Sequence, residues 1–289
     1  MKGYTDLQIQ TVYSDGDLTP RRVVQLAKHY QIGTIAITDH DSVAGIDEAQ
    51  QEGKRLGISV IAGIELYSTF RKKELHILGY NIRPKDRRLA AFLADIQKQH
   101  RDWLRVVVEK LRSRGWILRL DHLLSSRSQL IGFREIFREV AAHKKNLSRF
   151  RNDFGTITPD LFDFINRYFG KGGVALAPLP EKQVPTRGAI RRIRDAGGKA
   201  VLAHPGQQLS FSDDGIVSSL KTMGLRGIEA ITPHHTWHQV LHYQWLARDL
   251  GLFVTAGSDF HELLRDPIQT RTRWDYFRVH LDRLPWQGR

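Results

Sequence analysis

Histidine and carboxylate residues recur along this chain in short segments, each at the end of a stretch that predicts a β-strand. The segments are Asp39-His40-Asp41, Glu65, His76, Ala203-His204-Pro205-Gly206 and Gly257-Ser258-Asp259-Phe260-His261. A lone histidine in such a place is usually a packed or capping residue, but several segments together are typical of a metal site. The chain has no cysteine, so imidazole and carboxylate groups would be the ligands. These ligands suit Zn, Mn or Fe.

Alternating strands and helices are predicted to position these side chains. Thr19-Pro20 predicts the start of a helix, with threonine as the N-cap and proline in the first turn. The alternation predicts an α/β fold with a parallel sheet, in which the C-terminal ends of the strands share one face. Strands are predicted at Gly3–Gln10, Thr34–Thr38, Ser59–Ile64, Leu75–Tyr80, Ala200–Ala203, Gly227–Ile231 and Phe253–Ala256.

The β pattern is interrupted between about Pro84 and Gly170. Arg87–Arg114 has apolar residues at helical spacing, whereas Ser148–Gly170 is typical of a less regular linker that ends in a helix, Pro159–Phe169. We therefore predict a helical cap, 84–170, inserted into an α/β domain that is formed by 1–83 and 171–289.

Composition restricts the class of protein. The 41% hydrophobic and 26% charged residues are typical of a folded globular protein. The sequence contains no run of 18 apolar residues that would predict a membrane span, and its first residues lack the apolar region of a secretory signal. We expect a cytoplasmic protein that does not contact a membrane.

Most of the net charge of +13 lies in one segment of the chain. Arg83–Arg151 contains 18 lysine and arginine residues and 7 acidic residues, a net charge of 18 − 7 = +11. Such a segment is either a solvated helical face or a surface that binds a polyanion, because neutralised phosphates release counterions. The sequence leaves both interpretations open, and the second predicts weak RNA or DNA binding through the cap.

The order of the motifs resembles that of the PHP (polymerase and histidinol phosphatase) metallophosphoesterases. Asp6–Gly16 is similar to the opening motif of the family, Asp-Leu-His-x-His-Thr-x-x-Ser-Asp-Gly. The resemblance implies a distorted (β/α)7 TIM-like barrel that holds three metals and hydrolyses phosphoesters. The cap is most similar to that of bacterial members that act on nucleoside bisphosphates or on RNA 5′ ends. The later motifs, in family order, are Ile37–Asp41, Gly63–Glu65, His76–Tyr80, Ala203–Gly206, Gly227–Glu229 and Gly257–His261.

By this resemblance, the ligands sort into three metal sites, of which the first and second share Glu65 as a bridging carboxylate. The first site would also use Asp259 and the two histidines of the opening motif. Two or three divalent metals (Mn, Zn or Fe) are therefore expected per chain. The second set is Glu65, His76 and His204, the third is Asp15, His40 and His261, and the residues expected to be catalytic are Asp15, His40, Glu65 and His204.

The first site departs from the family pattern, because Gln8 and Gln10 stand where the two histidines are expected. An amide oxygen is a poor ligand for Zn, although two amide oxygens with two carboxylates would suit Mn or Mg. Two interpretations stay open. The chain is either a metal-dependent phosphoesterase for a nucleotide or oligonucleotide phosphate, with altered metallation, or a catalytically impaired member that binds nucleic acid or protein.

The substrate-binding residues are marked less clearly than the ligands. Related capped proteins often carry Arg-x-His before a cap helix, and the nearest stretch here, Gly132–Arg138, has no histidine. Arg134 and Arg138 are candidates for contact with a substrate phosphate, although either is also typical of an exposed helical face. His234, which follows the strand Gly227–Ile231, is a third candidate. The expected partner is a phosphorylated small molecule or a nucleic-acid end.

Overall fold

A computed structural model describes residues 3–125, 132–170, 172–175, 184–261, 264–265, 270–271, 273–281, 284 and 286. The chain forms two compact units, Met1–Ala94 with Glu181–Arg289 and Asp95–Pro180. The strands are β1 Tyr4–Ile9, β2 Ile32–Ile37, β3 Ser59–Phe70, β4 Lys73–Tyr80, β5 Lys199–Leu202, β6 Gly227–Ile231, β7 Phe253–Ala256, β8 Leu264–Arg265 and β9 Thr270–Arg271. The α-helices are α1 Pro20–His29, α2 Ile46–Leu56, α3 Arg87–Ser113, α4 Leu120–Leu124, α5 Phe133–Ala142, α6 Leu147–Phe154, α7 Leu161–Phe169, α8 Thr186–Asp195, α9 Asp214–Met223 and α10 Trp237–Asp249.

A seven-stranded sheet forms the centre of the first unit, with its strands in sequence order from β1 to β7. The sheet closes through the residues that follow β7, because the Gln10 N–H donates to Phe260 O (2.7 Å) and the Phe260 N–H donates to Gln8 O (3.1 Å). Thr19 accepts a hydrogen bond from the Arg22 N–H (3.3 Å) and so caps α1 as predicted. The predicted fold, a distorted seven-stranded α/β barrel, is confirmed.

One strand of the barrel runs against the predicted direction. β4 pairs antiparallel with both β3 and β5, so the prediction of a uniformly parallel sheet was wrong at this strand. The reason is that β3 continues to Phe70 and returns through the two-residue turn Arg71-Lys72, in which both residues have positive φ (48° and 65°). Such a turn joins antiparallel strands without a crossover helix. His76, near the start of β4, therefore lies at the same edge of the sheet as the C-terminal ends of the parallel strands.

The C-terminal segment of the chain is held against β1 by the buried Asp6. The Asp6 carboxylate accepts hydrogen bonds from the Ser258 N–H (2.8 Å), the Ser258 Oγ–H (2.5 Å) and the Trp274 Nε1–H (2.5 Å). Trp274 is fully buried and stacks on Phe260, with ring centroids 4.6 Å apart. This network joins β1 to the residues that follow β7 and to the 3-10 turn Arg273–Asp275.

The second unit is helical and has its own apolar core. Its aromatic residues include Trp103 and Trp116, which are both buried. The prediction of an irregular linker from Ser148 was wrong, because Leu147–Phe154 is helix α6. This helix buries Phe150 and ends at Gly155 in the left-handed conformation, a common helix C-terminus. Among the described residues, no helix is both long enough and apolar enough to span a membrane.

Candidate metal centre

One cluster of ligand groups is centred on the buried Glu65. The Glu65 Oε1 lies 3.0 Å from His76 Nδ1 and 3.2 Å from His204 Nε2, and one ligand atom from each residue lies within 4.8 Å of the others. β3 and β4 supply two of these residues, and His204 follows β5. The sequence motifs placed Glu65 and His76 after strands, whereas both lie within strands because β3 and β4 form a hairpin. The three residues are the predicted second set of ligands.

A second cluster, Asp15, His40 and His261, also has its ligand atoms within 4.8 Å of one another. His261 Nε2 is 3.3 Å from Asp15 Oδ2, and His40 Nε2 is 4.0 Å from Glu65 Oε2, so this cluster adjoins the first. His40 stacks on Tyr67, with ring centroids 4.3 Å apart, and its buried Nδ1 has no hydrogen-bond partner in the described part of the chain. A buried nitrogen without a partner and three converging ligand atoms fit a bound metal ion.

One histidine in each cluster has a raised pKa and carries a proton at neutral pH when no ion is bound. Burial lowers the pKa of His76, but hydrogen bonds to Glu65 and Glu74 outweigh it and raise the pKa to about 9. Burial also lowers the pKa of His261, but the charges of Asp259 and Asp15 raise it to about 10. A metal must displace these protons, so its binding should release protons and strengthen as the pH rises.

The predicted first site fits a metal ion less well than the two clusters do. The Gln8 and Gln10 side-chain amides both donate to Glu65 Oε2, at 2.9 Å and 2.7 Å. The orientation of Gln10 is fixed because its Oε1 accepts a hydrogen bond from the His40 backbone N–H (3.1 Å), and Ser14 Oγ lies 3.0 Å from the same oxygen. The Gln8 Oε1 is buried without a hydrogen-bond partner among the described residues, so binding of an ion through amide oxygens stays a prediction. Amide N–H groups point at the carboxylate oxygen that a first metal would share.

The remaining first-site ligand, Asp259, is surrounded by other side chains. Its carboxylate lies 2.8 Å from His234 Nε2, 3.6 Å from His261 Nδ1 and 3.9 Å from Arg273 Nη1. Burial raises the pKa of Asp259, but the charge of His261 and the hydrogen bond from His234 lower it well below its usual value. The structure thus places His234, which the sequence marked as a substrate-binding candidate, at Asp259. Arg273 was missed, and no motif in the sequence marks it.

Arg134 and Arg138, the other two substrate-binding candidates, lie on α5 in the second unit. Arg138 lines a cavity of about 410 Å³ together with His122 and Glu139, whose side chains are in close contact. A role for either arginine in phosphate binding stays a prediction.

Glu229, in β6, is buried beside the centre and allows a test of the electrostatics. Its Oε2 accepts the His204 N–H (3.0 Å), and its Oε1 has no hydrogen-bond partner in the described residues. Gly257 permits this packing, because a Cβ there would lie 2.3 Å from Glu229 Oε1. Burial, followed by the charge of Glu65, raises the pKa of Glu229 well above its ordinary value. At a pH between the two pKa values of Glu229, the folded protein therefore holds a proton on this carboxyl group that the unfolded chain releases.

We expect Glu229→Gln to raise the free energy of unfolding of the metal-free protein at pH 8, and to do so less at pH 5. The pKa of Glu229 is higher in the folded protein than in the unfolded chain, where it is about 4.5. The stability that Glu229 contributes is therefore complete below pH 4.5 and declines as the pH rises towards the folded-state pKa. Glutamine keeps the hydrogen bond to His204 without that decline. Urea unfolding in EDTA at both pH values measures the difference, with the exposed Glu109→Gln as the control. An equal loss of stability at both pH values would contradict the raised pKa of Glu229.

Comparison with known proteins gives concordant matches over most of the chain. The model of the PHP domain matches residues 6–199. The chain is 28% identical over 261 residues to a phosphoribosyl 1,2-cyclic phosphate 1,2-diphosphodiesterase from Eggerthella lenta, with 89% of this chain and 93% of that protein covered. It is also 28% identical over 261 residues to the 5′-3′ exoribonuclease Rnm from Escherichia coli K12, with 89% and 85% covered. A solved structure of a candidate metal-dependent phosphoesterase from Bifidobacterium adolescentis superposes with a TM-score of 0.72 at 25% identity, covering 89% of this chain and 87% of that chain.

Proposed function

This chain belongs to the PHP family, and on that premise we propose that it is a metal-dependent phosphoesterase that acts on a nucleotide or oligonucleotide phosphate. The observation that carries the proposal is the pair of adjoining ligand clusters, Glu65, His76, His204 and Asp15, His40, His261. Two divalent ions, Mn, Zn or Fe, would be held there, one in each cluster. The Gln8 and Gln10 amides argue against a third.

Bound metals would lower the pKa of a water molecule and neutralise the negative charge of the phosphoryl oxygens. The chain itself orients the groups that hold them. The Glu65 Oε1 contacts His76 in one cluster, and the Glu65 Oε2 lies 4.0 Å from His40 Nε2 in the other. Asp39 fixes the loop after β1 by accepting hydrogen bonds from the Thr11 N–H (2.6 Å) and the Ser14 Oγ–H (2.7 Å), and this loop carries Asp15. His40 is held by its stacking on Tyr67.

The substrate class rests on the relatives and on the charge of the chain. Among the reported relatives, the exoribonuclease acts on RNA, and the diphosphodiesterase acts on a cyclic phosphate ester. We propose 84–170 as a basic cap that attracts a polyanionic substrate, with Arg134 and Arg138 as candidates for contact with its phosphates. We also propose a cytoplasmic location, where nucleotides and RNA ends are available.

A screen of phosphate substrates tests the proposal. Nucleoside bisphosphates and 5′-phosphorylated RNA oligomers would be incubated with the purified protein and Mn, and phosphate or nucleotide release would be measured. Release that depends on added metal and stops with EDTA is the expected result. No release from any substrate, with two metals bound per chain, would contradict it.

One observation favours a second candidate function. The Gln8 and Gln10 amides occupy Glu65 Oε2, the oxygen that would bridge to a first metal. A chain that had lost hydrolysis altogether would serve as a binding module for nucleic acid or protein. Elemental analysis separates the two functions, because about two metals per chain favours the enzyme and none favours the binding module.

We expect the basic segment Arg83–Arg151 to bind single-stranded RNA weakly and with strong dependence on salt. Each phosphate contact should contribute roughly −0.7 to the slope of log affinity against log salt, so about four contacts give a slope near −3. Base stacking on Trp103 or Trp116 is not expected, since both are buried. Fluorescence anisotropy with a labelled oligomer at several salt concentrations measures the slope.

A matched pair of variants decides whether this segment is responsible. Four exposed arginines of the segment would be changed to glutamine in one variant, and four exposed basic residues outside it in the control. Only the first change should flatten the slope and weaken binding. Equal effects of both variants would show general attraction to a basic protein. The two sets are Arg87, Arg88, Arg101 and Arg105, and Arg21, Arg22, Lys28 and Arg191.

A further inference from the structure

Arg273 brings a positive charge to the place where the first metal would have bound Asp259. Its Nη1 donates to Ser258 O (2.6 Å) and lies 3.9 Å from Asp259 Oδ2. An arginine side chain keeps its charge in proteins. The two amides donate hydrogen bonds to Glu65, and the guanidinium places a positive charge near Asp259, so both carboxylates of the predicted first site already face positive or N–H groups.

The position of Arg273 is set by buried neighbours. The next residue, Trp274, is fully buried, and its Nε1–H donates to Asp6 Oδ2 (2.5 Å). Ser258, which accepts from Arg273, is itself held by Asp6 through its N–H and Oγ–H. The Arg273 side chain is nevertheless 23% exposed, so part of it is accessible to a ligand. An anchored backbone with a partly accessible guanidinium is typical of a residue that binds an anion in a fixed orientation.

His234 lies between Arg273 and Asp259. Its Nε2 is 2.8 Å from Asp259 Oδ2 and 3.1 Å from Arg273 Nη1. One ring nitrogen cannot donate to Asp259 and also accept from Arg273, so we assign the Nε2 proton to the bond with the carboxylate, which is charge-assisted. Arg273 then directs one N–H to Ser258 O, and its contact with His234 is not a hydrogen bond. The guanidinium is held by Ser258 O, and within the described part of the chain no carboxylate oxygen lies at hydrogen-bond distance from it.

We propose that Arg273 binds a phosphoryl oxygen of the substrate beside Asp259, where it supplies the positive charge that the first metal would otherwise provide. This assignment rests on the proposed phosphoesterase function. The planar guanidinium matches a phosphate group with two parallel N–H donors, and a charge fixed before the substrate arrives needs no reorganisation. Arg273 is thus a specificity residue for phosphate, and His234 is a positioning residue that orients Asp259.

Calorimetric titration of the metal-loaded, full-length protein with inorganic phosphate tests the proposal, alongside elemental analysis of each variant. We expect Arg273→Gln to weaken phosphate binding by about tenfold or more, because a hydrogen bond to a charged group is lost. Its metal content should stay equal to that of the unchanged protein. Arg273→Lys keeps the charge without the planar pair of donors and should be intermediate. Arg191→Gln, which changes an exposed arginine in α8, should leave binding unchanged.

Unchanged phosphate affinity in Arg273→Gln would overturn the proposal. So would a loss of affinity that is matched by a loss of metal, because Arg273 would then act only by supporting the two metal clusters. If Arg273→Gln fails to fold by circular dichroism, Arg273→Lys decides, and affinity equal to that of the unchanged protein would overturn the proposal. Phosphate binding requires no turnover. A protein that binds phosphate through Arg273 but hydrolyses nothing would contradict the proposed function and leave this inference standing.

Discussion

His204→Ala should lower the metal-stimulated rate of phosphoester hydrolysis by at least about tenfold, since changes even around a metal ligand typically cost that much. His204 Nε2 is 3.2 Å from Glu65 Oε1, and its removal leaves Glu65 and His76 as the other members of that cluster. His40→Ala should have a similar effect, because it removes one of three ligands from the other cluster. Initial rates with a fixed excess of Mn measure both effects.

A control variant and the metal content show whether the lower rate of hydrolysis comes from the metal centre. His29→Ala, which changes an exposed histidine at the end of α1, should keep the full rate. The metal content of His204→Ala and His40→Ala should fall together with their rates. If both variants hydrolyse the substrate as fast as the unchanged protein, the activity belongs to a contaminant and the clusters are not catalytic.

The double substitution Gln8→His with Gln10→His should raise the metal content from about two to about three ions per chain. The present amides donate to Glu65 Oε2 at 2.9 Å and 2.7 Å, whereas neutral imidazole nitrogens would present lone pairs to an ion shared with that oxygen. The rate of hydrolysis should rise if a first metal is what the chain lacks. Elemental analysis after dialysis, with rates on the same samples, measures both.

The single substitution Gln8→His is the matched comparison for this experiment. Gln10 would still donate to Glu65, and its oxygen would still accept from the His40 N–H, so we expect no third ion at full occupancy. A double variant that still binds two ions would show that the amides are not what excludes the first metal. A third ion without a faster rate would show that the missing first metal is not what limits the rate.

The sequence predicted most of the barrel because its strands and helices have strong local signals. The Thr19-Pro20 start of α1 is one such signal, and the structure shows the expected capping hydrogen bond at Thr19. The strand Leu75–Tyr80 was predicted but its reversed direction was not, since the turn Arg71-Lys72 adopts positive φ without glycine or asparagine. Helix α6 was missed because it is short and its apolar residues are few. These failures are cases in which tertiary packing overrides a weak local pattern.

The two clusters of candidate ligands were predictable for a different reason. Histidine and carboxylate motifs at strand ends are visible in the sequence, and closure of the barrel brings them together. The direction of an amide is not visible, because it depends on a hydrogen bond between Gln10 and the His40 backbone. Arg273 carries no motif, and its place at Asp259 depends on the burial of Trp274 against Asp6. The sequence therefore predicted which groups meet, but not which atoms face each other.

Anomalous diffraction from crystals soaked in Mn, recorded at the metal absorption edge, tests most directly whether the chain holds two metal ions, one in each cluster. We expect two peaks per chain, one between Glu65, His76 and His204 and the other between Asp15, His40 and His261. We expect none between Gln8, Gln10 and Asp259. A full-occupancy peak at the two glutamines, with no peak at His76 and His204, would contradict the account.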